Sequence, residues 1–219
     1  MGWSDLGLIF LGWLLGLLSP VIQNYILTRR KKKQVEKLIE AEVSELAKQL
    51  VVVSFLLSES TFSLTKDFVK WCLQEYERLD TGADEFQIKE RLERFVQNSA
   101  QQLDEYNTKQ SLGGFSPVGV KRYEMPYSLA HANFFHNLEQ EKQSAIWEVA
   151  NRLNTFNQEV DQLREYRMMT FDESISNANH EIIKAELVAK SNYLSRYCKT
   201  IIAASSKVLH NNAMHATSA

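Results

Sequence analysis

The chain has 219 residues, 25 Lys+Arg against 27 Asp+Glu, and two cysteines. That balance leaves no broad basic surface for nucleic acid. Cys72 and Cys198, with no CxxC and no matching His pair, read as small buried hydrophobes in a reducing compartment, a single bridge between them staying open.

The first thirty-three residues set the organisation. Leu6 to Leu27 is an apolar stretch of twenty-two residues that runs straight into Arg29, Arg30, Lys31, Lys32 and Lys33. As a helix it would span about 33 Å, slightly more than a hydrocarbon core of about 30 Å. Trp3 and Tyr25 are spaced to sit in the two interfacial belts. The expectation is a single transmembrane helix, an uncleaved signal anchor. The positive-inside rule puts the basic block and everything after it in the cytoplasm, with the N-terminus outside. Ser19, Pro20, Gln23 and Asn24 weaken the second half, and Pro20 predicts a kink opposite Gly16. An interfacial or re-entrant segment is the other form such a stretch can take. Gly12 and Gly16 make a GxxxG, the spacing at which two membrane helices approach closely. The basic cluster is a topology signal, and its chemistry also suits anionic membrane lipid. Five of the 25 Lys+Arg lie in that cluster and Asp5 precedes it, which leaves 20 cations against 26 anions, a net of −6, in residues 34–219.

Residues 34–209 read as one soluble helical bundle. Val35, Ile39, Val43, Leu46, Leu50, Val53 and Leu57 recur at spacings of three and four, predicting a helix over Gln34–Leu57 that continues the membrane helix. Glu36 to Glu40 and Glu45 to Gln49 supply its polar faces, and Val51 to Leu57 should be its most buried part. Ser58 to Thr61 reads as a turn and cap for a helix from Phe62 to Leu79, with Val69, Cys72, Tyr76 and Leu79 as its stripe. Gly82 suits a C-terminal cap and Asp84 the next N-cap. A third helix is expected over Glu85–Tyr106, with Ile88, Leu92, Phe95, Ser99, Leu103 and Tyr106 on one face.

Residues 108–127 contain Gly113, Gly114, Gly119, Pro117 and Pro126 and read as a long irregular stretch. Phe115, Lys121, Arg122 and Tyr123 make it a candidate contact loop. Two long helices follow. The seam Ile146, Val149, Leu153, Phe156, Val160, Leu163 lies on a helix from about Ser128 to Met169. Asp172 is expected to cap the next, on which Leu187, Leu194, Ile201 and Val208 recur every seven residues with Ile183 and Tyr197 between. The two coiled-coil-like seams predict an antiparallel hairpin through Thr170-Phe171, and 210–219 reads as a frayed tail.

The fold class is therefore all-α: a single N-terminal transmembrane helix, then a cytosolic bundle of about five helices ending in a long antiparallel hairpin. No catalytic, cofactor or metal constellation stands out. His131 and His136 lie five apart, where a helical metal pair needs three or four, and Gly113-Gly114 lacks the Lys-Ser/Thr of a phosphate loop. Neither a GxSxG elbow nor Glu-x-x-His repeats occur. Trp71 and Trp147 read as core or interface anchors. The expected role is non-catalytic: a membrane-tethered scaffold or accessory subunit whose partners are membrane lipid and another protein or itself, with no nucleic acid, cofactor or small-molecule substrate. The alternative is an oligomeric membrane-active or transport-associated protein working through Gly12, Gly16 and Pro20.

Overall fold

The computed structural model describes residues 3–79, 87–112 and 118–210, with backbone alone at 3–22, 24 and 210. All regular structure among them is helical: α1 Trp3–Ser60, α2 Lys66–Arg78, α3 Ile88–Gln97, α4 Ala100–Leu112, α5 Pro126–Ala130, a 3-10 turn Ala132–Asn137, α6 Gln140–Met169 and α7 Asn177–His210. These seven α-helices exceed the five expected, because two predicted helices are each divided. Among the described residues no helix is long and apolar enough to cross a membrane. The side chains of Leu6 to Ile22, including Gly12, Gly16 and Pro20, lie outside the described residues, as do Gly82, Asp84, Phe115 and the tail beyond His210.

α1 is one helix of 58 residues, so the apolar run and the first bundle helix are continuous, about 87 Å end to end. From Val35 onward its stripe is buried, with Val53 only half-buried. The helix does not stop at Leu57. It ends at Ser60 in a Schellman motif: Ser63 N donates to Ser58 O at 2.9 Å and Phe62 N to Glu59 O at 3.1 Å. Phe62 takes the left-handed position with φ 55°. A chain turned that way cannot begin a helix at Phe62, which corrects the expected start; α2 instead begins at Lys66, with Thr65 Oγ1 accepting from Phe68 N at 3.3 Å.

The single helix expected over 85–106 is two. Ser99 Oγ accepts from Gln102 N at 3.1 Å and Gln102 Oε1 accepts from Ser99 N at 2.7 Å. This capping box starts α4 and leaves Asn98 extended, with ψ 145°. Ser99 is thus exposed rather than on the apolar face. α4 also shortens the irregular stretch, since it runs on to Leu112. The helix expected from Ser128 is likewise divided. α5 starts on Pro126, and Glu42 of α1 caps it, accepting from Tyr127 N at 2.7 Å and from Ser128 N at 2.8 Å. α6 begins only at Gln140. Asp172 does not cap α7; it folds its carboxylate onto Ser174 N at 2.9 Å, and α7 begins at Asn177 after a longer connection.

The core is a three-helix layer of α1, α6 and α7. Glu148 meets Lys207 and Glu159 meets Lys190, so α6 and α7 run antiparallel. Ser54 and Ser58 meet Ser195 while Thr61 meets Asn192, so α1 and α7 are antiparallel too. Both predicted seams are buried: Ile146 to Leu163 on α6, and Leu187, Leu194, Ile201 and Val208 on α7. The α1–α7 seam differs in chemistry. Ser54 Oγ donates to Ser195 O at 2.8 Å and Ser195 Oγ to Ser54 O at 2.9 Å, a reciprocal pair possible only where small side chains bring two backbones together.

Candidate functional site

A cleft of about 550 Å³ opens between α1, α3 and the segment 118–123. That volume falls within the range of ligand and peptide sites. Val52, Val53 and Leu56 of α1 and Ile88 of α3 supply apolar floor, while Val118, Val120 and Tyr123 form the opposing wall. Glu45, Lys48, Arg91 and Lys121 are the cleft's charged lining residues, Arg91 being paired with Glu59, and Lys121 is exposed at the rim with no ion pair among the described residues.

The wall is held from α6. Asn157 Oδ1 accepts from Tyr123 N at 2.9 Å, and its Nδ2 donates to Tyr123 O at 2.7 Å. One buried amide thus fixes both backbone groups of Tyr123, as a strand neighbour would. Arg164 Nη2 donates to Val120 O at 3.2 Å, and Arg122 pairs with Asp161 at 3.2 Å. Gly119 passes so close to α6 that a Cβ there would lie 3.3 Å from the Arg167 guanidinium. Burial, and then the neighbouring Cys198, push the Tyr123 phenol up to about 12, so it stays protonated at neutral pH.

The cations are locally ordered. Lys48 Nζ lies 4.9 Å from the Tyr76 ring centre, and Lys121 Nζ 5.1 Å from that of Tyr123. Arg91 is shared with Glu59 at 2.5 Å and sits over Phe55, and Tyr106 donates to the same carboxylate at 2.9 Å. Burial, then the charge of Glu59, raise the Tyr106 phenol above its ordinary value.

Of the predicted contact residues, Lys121 and Tyr123 line the cleft, while Arg122 is spent on Asp161. Lys48 and Arg91 were not foreseen. Lys48 did carry a signal, being the one charge in the apolar run from Leu46 to Leu57. Farther down α1, Arg29, Arg30, Lys31 and Lys33 are exposed and Lys32 is half-buried, and none has an ion pair among the described residues. Just above them Lys142 of α6, only 2 % exposed, donates to Glu36 at 2.6 Å and to Glu40. Burial would lower its pKa, but the hydrogen bonds and charges of the two carboxylates outweigh it and raise it. The polar face expected at Glu36 to Glu40 is therefore an inward clasp between α1 and α6.

Cys72 and Cys198 are free and buried. Burial pushes the Cys72 thiol up to about 12 and raises that of Cys198 as well. His131 is spent locally, its Nδ1 3.0 Å from Tyr127 O and its ring stacked on Tyr127, and Trp147 remains 52 % exposed, edge-on to Phe135. Among the described residues no three His, Cys, Asp or Glu side chains are grouped to hold a metal ion. Comparison of the chain with protein-family models, curated proteins and solved structures finds no match.

Proposed function

We propose that this chain is a single-pass, membrane-tethered helical protein whose bundle faces the cytoplasm and acts by protein–protein interaction, as a scaffold or accessory subunit. The observation that supports this most is the continuity of α1. One helix, Trp3–Ser60, carries in order the apolar run, the basic cluster and the buried stripe. On this reading Leu6–Leu27 is the anchor, and Arg29–Lys33 stays at the cytosolic surface with its ammonium and guanidinium groups toward anionic headgroups. Each such cation contributes about 1 kcal/mol near a charged surface. No loop separates anchor from bundle, so the bundle would be held at a set height rather than on a flexible leash. The α1 residues that line the cleft, Glu45 to Leu56, would stand about 18 to 35 Å beyond Lys33, within reach of another protein.

The cleft is the surface to which the reading assigns the partner. Its apolar floor supplies the hydrophobic contact, and the exposed Lys121 at its edge favours an acidic segment. The test uses full-length protein in cells with a photocrosslinking residue at position 121. The expected result is retention in the membrane fraction after an alkaline carbonate wash, with one heterologous adduct at fixed stoichiometry. Val53→Glu, which places a carboxylate in the floor, should abolish the adduct and leave retention unchanged. Release by carbonate would remove the anchor from the proposal, and absence of any adduct would remove the partner site.

A further inference from the structure

Three arginines gather on the wall segment 118–123 without lining the cleft. Arg122 Nη1 and Arg164 Nη1 both approach the Asp161 carboxylate, at 3.2 and 3.9 Å. Arg164 also donates to Val120 O, and Arg167 lies against Gly119, where a Cβ would stand 3.3 Å from its Nη1. The three guanidinium groups therefore converge on the short piece 119–122 and one carboxylate. Three cations against Asp161 leave a local charge of +2, in a domain (residues 34–219) of net −6. The next carboxylates in sequence, Glu124 and Glu165, pair with none of the three among the described residues. Holding the wall uses only part of this cluster, since each guanidinium carries five donors. Arg164 spends two on Val120 O. Arg122, though held by Asp161, keeps its other donors without an acceptor among the described residues, and the Arg167 side chain has no hydrogen bond or ion pair among them. Arg122 and Arg164 are 52 % and 50 % exposed, and Arg167 is half-buried.

Several guanidinium forks around one point suit a tetrahedral oxyanion better than a lone carboxylate, because each fork takes two oxygens at once. A phosphate monoester carries about −1.5 to −2 at neutral pH, which matches the local +2. Height selects its source. α6 runs parallel to α1, and Lys142, which meets Glu36 and Glu40, precedes Asp161 by 19 residues, about 28 Å. The basic cluster lies farther down still, so lipid headgroups at the anchor are well beyond a screening length of about 8 Å. Lys121, by contrast, adjoins Arg122 in sequence and lines the cleft. We propose that Arg122, Arg164 and Arg167 form a phosphoryl site, filled by a phosphorylated side chain on the segment that a partner lays in the cleft. The source of the group rests on the cleft reading; the site itself does not.

The site is tested on the full chain in detergent micelles by calorimetric titration with O-phosphoserine, with glutamate as the carboxylate control. Phosphoserine should bind roughly tenfold more tightly than glutamate. Arg122→Gln together with Arg167→Gln, which spares the Arg164 bonds to Val120, should weaken phosphoserine binding by roughly tenfold at an unchanged thermal midpoint. Asp161→Asn removes the competing carboxylate and should tighten it. Equal affinity for the two ligands, or binding indifferent to the paired replacement, would overturn the site. The source is tested with the photocrosslinking residue at position 121, in isolated membranes treated with phosphatase before irradiation. Phosphatase and the paired arginine replacement should each cut the heterologous adduct severalfold. An adduct unchanged by both would overturn the phosphoryl group on the segment while the cleft stayed a partner site. No adduct under any condition, with phosphoserine still bound by the purified chain, would remove the cleft reading and overturn the partner as the source, leaving the site to a free phosphate monoester.

Discussion

The two halves of α7 are built by the same seven-residue repeat and end in different states. From Ser191 to Val208 the helix is gripped by α6 on one side and α1 on the other, and Leu194, Cys198, Ile201 and Val208 are wholly buried. From Asn177 to Lys190 α1 has already ended, and among the described residues α6 is the chief partner left. Ile183 keeps 9 % of its surface exposed there, and at the far tip Met168 and Phe171 are 70 % and 71 % exposed. One seam hides one stripe; a second partner helix is needed to remove a helix from water. Stability should therefore be concentrated in the three-helix half, with the hairpin tip opening first.

Alkaline pH offers the largest contrast. Cys72, Cys198, Tyr123 and Lys142 all belong to the gripped half, and all four pKa values are raised in the fold. A group with a folded pKa above its unfolded one holds its proton more tightly in the fold. Its contribution is complete below the unfolded value and drains away as pH rises through the folded one. With ordinary values of 9.0 for the thiol and 10.0 for the phenol and folded values of about 12, the window runs from about pH 9 to 12. Thermal midpoints followed by circular dichroism should be flat from pH 7 to about 9 and fall steeply beyond it. A midpoint unchanged at pH 11 would mean that these groups are hydrated in solution.

Next in size is a matched pair of truncations. Leu194→Ala removes a fully buried side chain between three helices and should cost about 3–4 kcal/mol. Ile183→Ala, on the same seam beyond the end of α1, should cost about 1–2 kcal/mol because its neighbours can close on the space. Urea unfolding of both variants measures the difference. Equal losses would show that the hairpin is as tightly packed at its tip as at its base.

Lys142→Met tests how the gripped half begins. The methionine keeps the volume but leaves Glu36 and Glu40 without their cation. Both carboxylates keep some solvent contact, 25 % and 18 %, so the expected loss is about 2 kcal/mol rather than that of a sealed pair. Adding Glu36→Gln and Glu40→Gln should recover part of it. A single variant as stable as the parent would mean that α1 and α6 are joined by apolar contact alone.

This division was half legible in the sequence. The seams on α6 and α7 and the stripe on α1 could be read because each is a run of aliphatic residues at helical spacing, and every aliphatic on the two hairpin seams is buried. What periodicity could not give were the interruptions. Ser99 falls at the spacing of an apolar face, yet with Gln102 it forms a capping box, and local hydrogen bonds overrode the pattern. Glu42 looks like a solvated face residue and instead caps α5, a partnership across 85 residues that no local window contains. The cleft was legible in part for the same reason. Lys121 and Tyr123 stood out because they lie in an irregular stretch, whereas Arg91 joins them only through the tertiary path of α3.

The smallest effect is expected at Phe62, where the end of α1 sets the boundary between the two halves. Its φ of 55° is a position that glycine takes freely and that costs other residues about 1 kcal/mol. Its ring is half-buried and is not among the side chains packed on the core, so little contact is lost on removing it. Phe62→Gly relieves the backbone but loosens the unfolded chain, and the two nearly cancel, leaving a gain of about 0.5 kcal/mol. Phe62→Ala keeps the strain and gains nothing. Glycine should therefore exceed alanine by about 0.5 kcal/mol in urea unfolding. If alanine proved the better replacement, the left-handed turn would not be what stops α1, and the point at which α7 loses its second partner would be set by packing against Ser195 and Asn192 instead.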